Sequence, residues 1–318
     1  MADKLLRKGV VLAILEGTYG TDATPTGANG VLCSVPEYRS TGDRMERDYM
    51  RDSLDPSGFV VGAKQATISF KSELKGPDDA ASPETATALD PLLQACGLVP
   101  AAGAWPGDGD AGDSLIYTPT SDPAAHKSAT LYYYMDGILY KMVGARGTAV
   151  ATFSVRGYPS IQFNMTGLYA PAADQANPSA TFEEHTPPNC LSAGLKIGSY
   201  SPVGIEQAQI DFGIGLSEKR DLNSSTGLTS LVITSRTPKI TLDCDVVPLA
   251  SFNPEALWSA ATKSAIDWQA GLAPGNRVMI KAANAQMEEP SRGDRDGRAI
   301  YNLSFTCTQD NSFQLITG

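Results

Sequence analysis

Ala129-Thr-Leu-Tyr-Tyr-Tyr-Met-Asp-Gly-Ile-Leu-Tyr-Lys-Met-Val143 is the stretch that decides the fold class. Two β-branched and aromatic runs flank Asp136-Gly137. A two-residue connection needs φ > 0 at both positions, which Asp and Gly tolerate, so the stretch predicts a β-hairpin. Tyr132–Tyr134 are expected to pack alternately into and out of the core rather than to stack on bases or sugars. Gly144-Ala-Arg-Gly147 reads as a second turn leading into Val150–Val155. Further along, Ile161, Phe163 and Met165 alternate with Gln162, Asn164 and Thr166, the period of a half-buried strand. Ile68, Phe70, Ser72 and Leu74 alternate likewise with Thr67, Ser69, Lys71 and Glu73. Gly9–Leu15, ending at Glu16, is too short for a leader core and lacks a small-residue cleavage site, so it reads as a buried strand.

Helical signals are few. Asp90-Pro91 opens a run through Leu92, Leu93 and Cys96 that stops at Gly97. Asn253-Pro254 opens Glu255–Lys263, with Ala256, Leu257, Ala260 and Ala261 on an apolar side. In both, Asp or Asn is placed to cap and Pro to take the first helical position.

Composition agrees with a mainly β chain. Gly 30 and Pro 21 imply many turns. Hydrophobic residues at 42% and charged residues at 19% describe a globular protein of 318 residues, about two domains' length. Lys plus Arg number 25 and Asp plus Glu 35, a net charge of −10. That balance argues against a protein that grips nucleic acid by neutralising phosphates, though not against one that lets it slide past. The two histidines, His126 and His185, leave little for imidazole catalysis or zinc. The five cysteines, at 33, 96, 190, 244 and 307, form no C-x-x-C pair and read as scattered buried thiols made in a reducing compartment. No apolar stretch reaches the roughly 18 residues that a membrane span needs.

Three blocks recur in the same order. Gln65–Leu74 aligns with Pro238–Val246, pairing Ile68 with Ile240 and Phe70 with Leu242. Leu89-Asp-Pro aligns with Phe252-Asn-Pro, and Gly157–Thr166 with Gly297–Thr306, pairing Ile161 with Tyr301, Phe163 with Leu303 and Met165 with Phe305. The reading is two tandem β units, 1–175 and 190–318. The first is enlarged by an insertion at about 99–127, and a Pro-rich linker joins the two at 176–189. Before each first aligned strand lies a long polar segment, about 39–58 and 213–227. These read as loops or extended hairpins, and as contact arms in an assembly. Their charged residues are Arg44, Glu46, Arg47, Asp48, Arg51 and Asp52 in the first, and Glu218, Lys219 and Arg220 in the second.

The chemistry-bearing motifs are thin. Asp108-Gly-Asp110-Ala-Gly-Asp113 lacks the rest of a calcium loop and reads as solvated. Asp294-Arg-Asp-Gly297 reads as a turn, and Glu183-Glu184-His185 sits in the linker without rigid support. No phosphate loop, nucleophile elbow, zinc-protease motif or dinucleotide fingerprint is present. No catalytic, cofactor or metal residue is assigned. A secreted carbohydrate-binding β-sandwich would want a leader and clustered exposed aromatics. A β-scaffold hydrolase would want a nucleophile–base pair.

Several stretches resemble the tail tube (major tail) proteins of long, non-contractile-tailed bacteriophages. They are Leu6–Pro25, Asp136–Gly147, Phe163–Tyr169, Asn284-Ala-Gln and Glu288–Gly297, in that order along nearly the whole chain. The resemblance implies two β-sandwich or partial-barrel units, each with one flanking helix, and no enzymatic activity. It implies rings that stack into a hollow tail tube, or into the ring of a related injection apparatus. With two units per chain, three chains would close a pseudo-sixfold homotrimeric ring. Implied partners are other copies of the chain, a tape-measure protein, tail terminator and tip proteins, and DNA only in transit, with no membrane. The protein would be made in the host cytoplasm and end in the virion tail. The acidity then suits a lumen that repels phosphate. On the polar face of the aligned strands the candidates are Glu73, Asp243 and Asp245.

Overall fold

The hairpin at Asp136-Gly137 forms as the sequence dictates. Both turn residues have positive φ, 46° and 92°, and Met135 and Ile138 exchange backbone hydrogen bonds across it. The structure, a computed structural model, describes residues 3–107, 112–309 and 311–318. In chain order the strands are β1 (Val10–Leu15), β2 (Gly30–Val31), β3 (Glu37–Glu46), β4 (Phe59–Glu73), β5 (Leu98–Gly103), β6 (Ser114–Pro119), β7 (Ala129–Tyr134), β8 (Ile138–Ser154), β9 (Ser160–Tyr169), β10 (Ala173–Asp174), β11 (Lys196–Ile197), β12 (Gln207–Asp211), β13 (Ile214–Arg220), β14 (Leu228–Arg236), β15 (Lys239–Asp245), β16 (Lys263–Ala270), β17 (Val278–Met287), β18 (Ser291–Arg295), β19 (Arg298–Cys307) and β20 (Gln314–Thr317). The two α-helices are α1 (Asp90–Ala95) and α2 (Pro254–Ser259).

The fold is mainly β and antiparallel. One run of strands lies in the order β3-β4-β9-β8-β12-β15-β19-β18. Along β4, β9, β15 and β19 the expected alternation holds. Ile68, Phe70, Ile161, Phe163, Ile240, Leu242, Leu303 and Phe305 are buried in one core, and the residues between them face out. Two smaller strand groups cover that core. One is β2-β1-β7 with the first half of β8 and with β10. The other is β11-β16-β17-β20-β6-β5.

Several local expectations change. Gly144–Gly147 is not a turn. It is an irregularity inside the single strand β8, between Val143 and Arg146. Gly144 has φ 60°, and a Cβ there would meet the Tyr19 ring at 2.8 Å. The glycine thus makes room for a bulge under a tyrosine. Tyr132, Tyr133 and Tyr134 are all buried, because both faces of β7 are covered. Tyr133 joins the main core, while Tyr132 and Tyr134 pack with Leu12 and Leu139. Asp90 does not cap α1. Leu89 holds the cap position without a side-chain bond, and the Asp90 carboxylate instead accepts from Gln94 and from the Tyr117 hydroxyl. Asn253 does cap α2, accepting from the Ala256 N–H. That helix ends at Ser259, before the expected Lys263, and Ala256, Ala260 and Ala261 are exposed.

The insertion is a hairpin, β5–β6, whose second strand pairs with β20 near the chain's end, Tyr117 opposite Leu315. The Pro-rich segment is a docked strap. Thr181 donates to Gly27 O, Asn276 to Thr186 O, and the buried Lys75 ammonium to the carbonyls of Glu183 and His185.

Glu16, where the first apolar run stops, holds this arrangement together. Its carboxylate is buried and accepts four hydrogen bonds: from Thr130 Oγ1 at 2.9 Å, Gly144 N at 2.6 Å, Ser128 Oγ at 2.6 Å and Gly20 N at 2.8 Å. Leaving such donors unpaired costs about 1–3 kcal/mol each before relaxation. Glu16→Gln is expected to lower the unfolding free energy by about 2–4 kcal/mol in urea denaturation.

Candidate functional site

Among the exposed features of the described residues are two arms, two open strand edges and one broad polar face. The first arm is β3 with the outer part of β4, joined by residues 47–58. No residue of β3 is fully buried. Arg44 pairs with Glu46 at 3.3 Å and lies over the Phe59 ring. Arg51 donates to the carbonyls of Asp55 and Pro56, and Asp52 takes the left-handed conformation. Arg47 and Asp48 are exposed near the tip, with Arg47 over the Tyr49 ring. Met50 and Leu54 are fully exposed there. Large apolar side chains bare on an outlying hairpin are costly in a monomer and fit a contact surface.

The second arm is β13–β14, a separate two-stranded ribbon. It lies against the first. Arg220 bonds Asp43 across the gap at 2.5 Å and Glu218 on its own strand at 2.9 Å. Lys64 donates its N–H to Thr226 O at 2.9 Å, and Gly227 packs beside Ala63. Lys219 is exposed. The sequence foresaw each arm but not their contact, since residues about 175 apart carry no local signal of meeting.

The open edges are β3, which pairs only with β4, and β18, which pairs only with β19, among the described residues. Between them the polar face of the eight strands carries mainly hydroxyls and amides. Ser69, Gln162 and Asn164 are joined by hydrogen bonds, and Thr152, Gln209, Thr241, Asn302 and Ser304 continue the face. The three acids assigned by sequence are not bare. Glu73 pairs with Lys75 at 2.9 Å, Asp243 with Arg295 at 2.5 Å and Asp245 with Arg298 at 3.3 Å. Asp243 also accepts from the N–H groups of Glu206 and Gln207. The alternating Gln162, Asn164 and Thr166 carry the signal of this neutral face in the sequence.

The other groups that the sequence singled out serve the structure. His126 bonds Thr120 O, His185 bonds Gly76 O, and Glu183 accepts from Ala88 N. Of Asp294-Arg-Asp-Gly297, Asp294 and Arg295 end β18, and Asp296-Gly297 is the hairpin turn to β19. Asp108–Asp110 lie outside the described residues, and Asp113 braces Trp105 N at 2.6 Å. All five cysteines are free thiols. Burial pushes Cys33 and Cys307 up to about 12 and Cys244 up to about 11, which keeps them unreactive near neutral pH.

A family model described as phage tail tube protein matches residues 7–307. No curated protein matches the chain.

Two outcomes follow from the geometry. Arg220→Ala is expected to speed hydrogen exchange at the Lys64 amide severalfold, while the midpoint of global urea unfolding stays unchanged, as for exposed pairs. The Lys239 hydrogen bond, then that of Thr306, hold the Glu288 carboxyl below its ordinary 4.5. Its stabilisation is complete above pH 4.5 and is lost as pH falls through the lower folded value. Glu288→Gln should flatten that part of the acid limb in thermal melts taken across acidic pH.

Proposed function

The chain belongs to the phage tail tube protein family, a structural family of the virion tail, and from that premise we propose how it builds the tube. Copies close into rings, and the rings stack into a hollow conduit for DNA. The observation that carries this reading is the eight-stranded run, both of whose edges are unpaired among the described residues. Open edges of this kind are an aggregation hazard unless another strand completes them, and closure into a barrel removes them altogether.

Three chains per ring is the stoichiometry this reading favours. Its support is a register that occurs twice. Phe70 stands opposite Phe163 as Leu242 stands opposite Leu303, and Ile68 opposite Met165 as Ile240 opposite Phe305. Two tandem units of one kind in each chain make six positions from three copies. The paired arms are the contacts between stacked rings, their bare Met50 and Leu54 covered on stacking. The tape-measure protein and the terminator and tip proteins are the further partners.

The polar face lines the lumen. Glu73, Asp243 and Asp245 lie on it, each held by a cation, so its low affinity for DNA rests on hydroxyls and amides as much as on negative charge. Phosphate binding needs clustered free cations. Lys239, the basic residue at the start of β15's outer row, is itself tied to Glu288 at 2.8 Å.

Concentrated protein is expected to show rings or tubes by negative-stain electron microscopy, and uniform monomers would reject the reading. The lumen assignment has its own test. Tubes of Thr152→Cys protein, reacted after assembly with a small biotin maleimide, should bind no streptavidin along their outer walls. Decorated walls would put this face outside.

A further inference from the structure

The chain contains one complete strand junction whose counterparts at its two ends are open. Inside the chain β8 lies antiparallel to β12, with Val150 opposite Asp211, Ala151 opposite Ile210 and Thr152 opposite Gln209. The neighbours on either side fix which residues at the open edges hold the same places. Val150 stands opposite Gln162 on β9, and Ser291 stands opposite Asn302 on β19. Asp211 stands opposite Lys239 on β15, and Arg39 stands opposite Thr67 on β4. Under the alignment that matches Phe163 with Leu303 and Ile68 with Ile240, Ser291 therefore takes the place of Val150, and Arg39 that of Asp211. The edge strand β18 is to its sheet what β8 is at the junction, and β3 is what β12 is.

A second, independent observation concerns apolar surface. On β14, Leu231 is 1% exposed. Ile233 reaches over the end of α1, its Cδ1 lying 2.9 Å from where a Cβ on Gly97 would sit. The same alignment matches Leu231 and Ile233 with Phe59 and Val61, which are 54% and 48% exposed. It matches the end of α1 with the end of α2, where Trp258 is 46% exposed. What the internal junction buries is thus bare at both free ends, one part at each end.

Resting on the tube reading, we propose that a second copy docks head to tail in the register of the internal junction. Ser291 lies opposite Arg39 of the next copy, Arg292 opposite its Tyr38 and Gly293 opposite its Glu37. Phe59 and Val61 of that copy cover the end of α2 beside Trp258. The occupant is a second copy because each bare end complements the other end and not itself, which is the condition for a heterologous, ring-forming contact. Glu37 falls diagonal to Arg295 on the same face, but Arg295 is already paired with Asp243 and Glu206, so the apolar complement and not charge carries the choice of occupant. The two junctions are not identical. The β6–β20 pairing that reinforces the internal one has no counterpart after α2, where β16 follows directly.

The test uses the full chain carrying Arg39→Cys and Ser291→Cys, assembled and then mildly oxidised. A non-reducing gel should show a covalent ladder of dimer and higher species, absent from either single variant and from the wild type, whose own thiols are mostly buried. Arg39→Cys combined with Arg292→Cys places the two thiols on opposite faces and should cross-link at least fivefold less. Equal yields from the two pairs, or tubes without a ladder, overturn this junction while leaving the tube reading in place. A chain that stays monomeric at every concentration overturns both. Phe59→Asp with Val61→Asp alters only side chains already exposed in the single copy. It should leave the melting temperature unchanged and abolish assembly, and undiminished assembly overturns the proposal.

Discussion

The backbone pairing of Val150–Ser154 with Gln207–Asp211 makes one sheet from strands that would otherwise form two. It does so through β8, a 17-residue strand that serves two layers. Its first half pairs with β7 and β10, and its second half with β9 and β12. A strand this long bends because of the irregularity between Val143 and Arg146, where Gly144 passes under Tyr19. The buried Glu16 carboxylate accepts from that same glycine. The bend, the clamp and the junction are thus consecutive features of one strand, and buried backbone groups there have no alternative partners. The arms meet because β12 and β15 continue into β13 and β14, which carries the second arm back across the first.

What the sequence disclosed follows the range of the forces involved. The Asp136-Gly137 and Asp296-Gly297 turns, the alternation of β4 and β9, and the Asn253 cap all rest on neighbours a few residues apart, so they were legible. The fate of Asp90 was not. Its carboxylate had two suitors, the helix N-terminus and the Tyr117 hydroxyl 27 residues away, and only the fold decides between them. Gly144–Gly147 carried the composition of a turn, but Tyr19 and the β9 partners made it a bulge. The Pro-rich 176–189 segment lacks any period and so read as a linker. Its order comes from backbone carbonyls captured by Lys75 and Asn276, and a hydrophobic pattern cannot encode carbonyls. For the candidate site, the arms were legible as polar runs, whereas their contact and the two open edges were not.

Charge shows the same limit. A net charge of −10 is a sum over the chain, whereas the field at a surface depends on which charges stand unpaired there. Glu73, Asp243 and Asp245 were singled out because they alternate with core residues. That same alternation places Arg295 and Arg298, two and one strands away, within reach of the two aspartates. Each of the acids that mark the face is paired with a cation. The distinctive property of the face is its run of serine, threonine, asparagine and glutamine, which hold water by hydrogen bonds and offer no charge of either sign.

Joining the two proposed units in one chain changes the energetics of building a closed assembly from such sheets. Within the proposed ring, half of the junctions are intramolecular. Covalent connection raises the effective concentration at those junctions to roughly the millimolar range expected for short tethers. The strap of residues 176–189, pinned at Lys75 and Asn276, and the β6–β20 pairing then hold the two halves in register. The remaining junctions must form between separate molecules and lack that pairing, so they are the weaker set. A ring built this way opens and closes at the chain-to-chain joints. There the contact depends on Phe59, Val61 and Trp258, side chains that stay in water until a neighbour arrives. In the proposed ring, the apolar surface exposed on the free chain is the part of the fold whose burial is deferred to assembly.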